Sequence, residues 1–189
     1  MKRENQIFTA PFMDAQLEKA AWKHLSEETE ETAIATKLMR EYSDKLHWKS
    51  ISENRSIKWS IDLLRKYQRH IHWEEMTHTL FNSWLSDIGI EKWRIEDVIT
   101  FLDEFKDHWN WDELSSGIDH PHIVEILDRY SAKLNWNNIA DNSSINWTPQ
   151  MVSKYEQYLA SVEDIERTNL WRKLKERRAA EIIAEIFEK

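Results

Sequence analysis

The stretch Tyr130-Ser131-Ala132-Lys133-Leu134-Asn135-Trp136-Asn137-Asn138-Ile139-Ala140-Asp141-Asn142-Ser143-Ser144-Ile145-Asn146-Trp147 decides how the chain is read, because it recurs. Near the other end, Tyr42, Leu46, Trp48, Ile51, Ser52, Asn54, Ile57 and Trp59 stand at the same mutual spacings. The aromatic that opens each unit falls at Tyr42, Tyr67, Phe105, Tyr130 and Tyr155, at intervals of 25, 38, 25 and 25. Such a period marks a repeat architecture, in which each unit buries its apolar face against its neighbours.

Around each opener the columns are regular. One helical turn later comes an apolar residue, Leu46, Ile71, Trp109, Leu134 or Leu159. A tryptophan follows at Trp48, Trp73, Trp111 and Trp136, while Ser161 holds that place in the last unit. Next come Ile51, Met76, Leu114 or Ile139, and then Ser52, Thr77, Ser115 or Ala140. Trp48, Trp73, Trp111 and Trp136 are expected in the core, since each sits at a fixed offset from apolar neighbours. The column Asn54, Gly117 and Asn142, with Thr79 as its exception, is expected to end a short helix in a left-handed cap. Ser60 and Thr148 read as N-caps, with Pro149 at the first helical position. Each unit therefore reads as a longer helix through the opener, a sharp bend, a short helix over the tryptophan and a capped turn.

Composition agrees with helix. Two Gly and three Pro in 189 residues leave little material for hairpins, and 32% charged residues accompany abundant Glu, Lys, Leu and Ala. The expected fold is all-α: a short helical-repeat solenoid with units of about 25 residues and helical caps at both ends. It forms one domain over 1–189: an N-terminal arm and capping helix over 1–28, repeats over 29–162, and a C-terminal helix or helices over 163–189. The long interval resolves into one extra helical turn and an insertion near 85–92, a loop that interrupts the stack.

Zero Cys excludes disulfides, thiolate catalysis and Cys-ligated zinc. Ile7 to Met13 is short and interrupted by Thr9 and Pro11, a poor secretory h-region, and no run approaches roughly 20 apolar residues, so a cytoplasmic protein away from membranes is expected. A net charge of -8 argues against general nucleic-acid binding. The dense basic run Arg172, Lys173, Lys175, Arg177 and Arg178 keeps a nucleic-acid-associated alternative open, beside the reading of a solvated face.

Chemistry finds little footing. His70, His72 and His78 lie near Glu74 and Glu75, which suggests a metal-dependent hydrolase as a further alternative. The order is not His-Glu-x-x-His, however, and His70 shares its column with Lys45, His108 and Lys133, an exposed basic position. The serine column includes Ala140, so its hydroxyl reads as structural. No catalytic residue, metal or cofactor is assigned.

Lys133-Leu134-Asn135-Trp136-Asn137-Asn138-Ile139-Ala140-Asp141-Asn142, and Leu114-Ser115-Ser116-Gly117 followed by Ile126-Leu127, resemble uncharacterised tandem Trp/Leu-Ser-x-Asn repeats of large DNA viruses and some bacteria. Those repeats read roughly Lys-Ile-Asn/Asp-Trp-x-x-Leu-Ser-x-Asn. The resemblance spans about Ala33 to Leu159 and departs at Thr79 and in the insertion. It implies a helical repeat and brings no activity with it. The expected function is a non-enzymatic protein–protein interaction module. Its candidate binding residues are Trp84 and Trp93 at the break, His70 on the basic column, and Arg172, Lys173, Lys175, Arg177 and Arg178. The partner is a protein, and the apolar C-terminal helix is also placed to form a homo-oligomer.

Overall fold

A computed structural model describes residues 11–81 and 93–187. The insertion near 85–92 and Trp84 lie outside the described residues. Among those described, the protein is all-helical, with twelve α-helices and no strand. The chain divides into two compact parts, Met1–Thr79 and Leu80–Lys189.

The first part carries α1 (Pro11–Glu28), α2 (Thr32–Glu41), α3 (Trp48–Glu53), α4 (Ile61–Tyr67) and the start of α5 (Trp73–Phe81). The second carries α6 (Ile95–Glu104), α7 (Trp111–Gly117), α8 (Ile123–Tyr130), α9 (Trp136–Asp141), α10 (Pro149–Lys154), α11 (Glu156–Leu159) and α12 (Asn169–Phe187). A 3-10 turn, Ile165–Arg167, precedes α12.

Local chemistry accounts for the repeated bends. The opener's carbonyl accepts from the N–H three residues on, at 2.9 Å from Lys45, 2.8 Å from His70, 2.9 Å from His108 and 2.7 Å from Lys133. That tight turn ends the longer helix. The short helix then starts at the tryptophan in all four units, α3, α5, α7 and α9. Just before it, the side chains of His47, Asn110 and Asn135 accept backbone N–H bonds and cap α3, α7 and α9. Ser60 and Thr148 cap α4 and α10 as the sequence implies, with Pro149 in the first turn.

The core follows the apolar columns. Ile51, Met76, Leu114 and Ile139 are all fully buried, and each is worth roughly 1.5–3 kcal/mol relative to exposure. The second part adds an aromatic knot in which Trp109 meets Phe81, Phe101 and Phe105 at centroid distances of 5.3, 5.3 and 5.6 Å. Its indole N–H donates to the Leu102 carbonyl at 3.1 Å, so this ring is buried with its polar group satisfied.

Two expectations are corrected. Of the four tryptophans expected inside, only Trp136 is buried, at 8% exposure; Trp48, Trp73 and Trp111 are half-buried. Among the described residues, Trp59, Trp109 and Trp147 are also enclosed. A tryptophan at the first position of a short helix leans back over the bend, and its N–H donates to the carbonyl five residues earlier. Those bonds run to Ser43, Gln68, Lys106 and Ser131 at 2.8, 3.0, 3.0 and 2.9 Å. At Trp48, Trp73 and Trp111 the ring thus staples the bend from a half-buried position rather than filling the interior, while Trp136 makes the same bond from within the core. Nor does a left-handed cap form at the asparagines: Asn54 (φ -74, ψ 103) and Asn142 (φ -66, ψ 110) are extended. Asn is there for its amide, as the next section describes.

Candidate functional site: the interface between successive repeats

Three polar columns join one unit to the next. The first is the hydroxyl. Ser26, Ser52 and Ser115 donate to the carbonyl four residues back in their own helix, at 2.7, 2.8 and 2.6 Å. The same oxygens accept the backbone N–H of His47, His72 and Asn135 in the following unit, at 3.1, 3.0 and 2.9 Å. All three serines are fully buried, and one oxygen both donates within its own helix and satisfies a backbone N–H of the next unit. Ser26 and Trp22 show that the second half of α1 is itself a degenerate unit, which the sequence reading treated only as a capping helix.

The asparagine amide is the second column. Asn54 donates to the carbonyls of Ser26, Glu27 and Thr29 at 3.2, 3.1 and 3.0 Å. Asn142 donates to those of Ser115 and Ile118 at 3.2 and 2.9 Å. These carbonyls lie at the ends of α1 and α7, where no intrahelical partner exists. Each asparagine oxygen also accepts the N–H two residues on, from Ser56 and Ser144, both at 2.9 Å. Thr79 substitutes in part by donating to the Ser52 carbonyl at 2.9 Å. At Gly117 a Cβ would come 2.5 Å from the Phe81 carbonyl oxygen, so there the backbone of α5 takes the space a side chain would need.

The tyrosine hydroxyl makes the third. Tyr130 reaches the Ile99 carbonyl and Asp103 at 3.2 and 3.0 Å, and Tyr155 reaches the Val124 carbonyl and Asp128 at 3.1 and 2.9 Å. The adjacent cation closes each group, Arg129 on Asp103 and Lys154 on Asp128. The Arg129 bond and that of Tyr130 hold the Asp103 carboxyl below its usual range. Burial pushes both phenols up, and their carboxylate partners add to it, so the hydroxyls remain donors at neutral pH.

Beside this frame runs a ladder of rings, with Trp22, Trp48 and Trp111 half-buried and Tyr67, Tyr130, Trp136 and Tyr155 buried. The tryptophan of one unit meets the opener of the next in Trp22–Tyr42, Trp48–Tyr67, Trp111–Tyr130 and Trp136–Tyr155, at 5.2, 5.5, 5.0 and 5.4 Å. The residue three past that opener covers the indole: Lys45 and Lys133 sit 5.4 and 5.5 Å over Trp22 and Trp111. His70 stacks on Trp48 at 4.8 Å, and Tyr158 on Trp136 at 4.7 Å. An exposed cation over an indole is worth about 0.5–1 kcal/mol. Sequence spacing shows the basic column; that it lies on the preceding tryptophan needs the fold.

The remaining candidates fall in different places. Trp93 is half-buried and meets Phe101 edge-on at 5.7 Å. His72 and Lys49 share the Glu75 carboxylate at 2.6 and 2.7 Å. The Lys49 bond, with help from His72, pulls that carboxyl down to about 2. His78 lies 3.5 Å from Arg55, and His70 is occupied with Trp48. The histidines therefore do not converge, and no group of three or more potential ligands is arranged for a metal among the described residues.

The basic run also separates. Lys173 donates to the Ser143 and Ile145 carbonyls at 2.7 and 3.0 Å and so anchors α12. Arg172 bonds Asn169, Arg177 pairs with Glu181, and Arg178 with Glu181 and Glu185. Lys175 is exposed. No described helix is long and apolar enough to cross a membrane. Comparison of the chain with protein families, with curated proteins and with solved structures finds no match.

Proposed function

We propose that the chain is a non-enzymatic protein-binding module whose units of about 25 residues stack solenoid-fashion within each compact part. One observation carries this reading. The serine hydroxyls, the asparagine amides and the phenols of Tyr130 and Tyr155 are engaged between units, while the half-buried indoles of Trp22, Trp48 and Trp111 recur on the outside under Lys45, His70 and Lys133. Rigid aromatic edges beside cations suit a protein partner with acidic and apolar groups in alternation, since aromatic residues contribute large contact area at little cost in side-chain freedom.

Photo-crosslinking from positions 45 and 133 in native lysate tests it. The expected result is one discrete crosslinked protein, lost in Lys133→Glu with the circular dichroism spectrum unchanged. Crosslinks to nucleic acid instead, or retention abolished by nuclease, would replace this reading with a nucleic-acid-associated one.

A further inference from the structure

α12 carries a second surface, independent of what the ladder binds. Its only buried residue is Leu170, and from Lys175 to Phe187 every residue is exposed. An isolated helical stretch of about this length is marginal in water, so it calls for a covering partner. One side of the helix gathers Trp171, Lys175, Ala179, Ile182 and Ile186 at spacings of three and four. Ile182 and Ile186 are 43% and 65% exposed, and Trp171 is 39% exposed. Trp171, Leu174, Arg178, Ala179 and Ile182 line a shallow apolar groove along this side.

The charges say what fits. Between Arg172 and Arg178 stand five basic residues and one acidic, Glu176; between Ala179 and Phe187 stand Glu181 and Glu185 and no basic residue. We propose that α12 pairs antiparallel with α12 of a second copy of this chain. Centring the two-fold axis between Arg178 and Ala179 sets Trp171 opposite Ile186, Arg172 opposite Glu185 and Lys175 opposite Ile182. Each basic half then lies along an acidic half, whereas a parallel pair would set like charges together. The ion pairs Arg177–Glu181, Arg178–Glu181 and Arg178–Glu185 are exposed within one helix and are readily exchanged for pairs across the interface.

Sedimentation equilibrium of the full chain provides the test. The expected species at tens of micromolar is twice the 22.9 kDa chain mass, with a dissociation constant on the order of micromolar for so small an interface. Ile182→Asp raises that constant at least ~10-fold with helicity retained. Arg172→Glu and Glu185→Arg each weaken the dimer, and the double variant R172E/E185R restores it. Because the chain has no cysteine, mixing Trp171→Cys with Ile186→Cys reports direction: antiparallel pairing yields the mixed disulfide. A monomer at all concentrations, a double variant no better than either single one, or exclusive formation of like–like disulfides would overturn the proposal.

Discussion

Asn142 is 6% exposed, and its amide is the donor to two carbonyls of the preceding unit. Asn142→Ala leaves both acceptors buried, so the expected loss is roughly 2–3 kcal/mol, read as a lower urea midpoint at unchanged slope. Asn135→Ala, which removes a helix cap that water can replace in part, should cost only about 1 kcal/mol. Equal losses would show that the amide bridge contributes nothing beyond capping. His120 gives a pH signature of its own. It is buried at the position that Ile57 and Ile145 fill in other units. Burial, then the nearby His122, lowers its pKa from 6.5, while its Nε2 has no hydrogen-bond partner. The unfolded chain thus binds the proton more readily than the folded one, and stability falls as pH drops through about 6.5. The denaturation midpoint should decline between pH 8 and 5.5, and His120→Gln should flatten that decline. The apolar columns were legible because burial strongly favours apolar types. The role of Asn and Ser was not, because a residue that both donates and accepts serves equally as a cap or as a bridge, and its partner lies 20 or more positions away.

The short helices α3, α5, α7 and α9 begin at a tryptophan that caps the bend from outside. Single-tryptophan variants should therefore separate into two classes. Acrylamide should quench Trp48 and Trp111 several-fold more efficiently than Trp109 and Trp147, which are 5% exposed. Uniform protection would restore the interior role that spacing alone suggests. Periodicity places the ring on the right helix, but it carries no information on whether the ring points into the layer or back over the turn. That choice belongs to the indole N–H, which finds a carbonyl five residues earlier. The boundaries of these elements were readable for the same reason in reverse: caps and bends rest on contacts within five residues.

At the scale of the molecule, the serine and asparagine bridges run between adjacent units, so damage should stay local. Hydrogen exchange of Asn142→Ala should rise most across α7 to α9 and remain at the wild-type level in α2 and α3; a uniform rise would mean one all-or-none body. The bridging bonds have a further consequence, because their spacings recur along the chain to within one residue. A serine hydroxyl serves the N–H 20 residues on, and an asparagine amide serves a carbonyl 27 residues back. Each of these joints is thus specified by a cassette and the one after it. Duplication or excision of a whole 25-residue block rejoins equivalent edges. Copy number is therefore free to drift by replication slippage in steps of one cassette, and lineages carrying this chain should differ in length by that quantum.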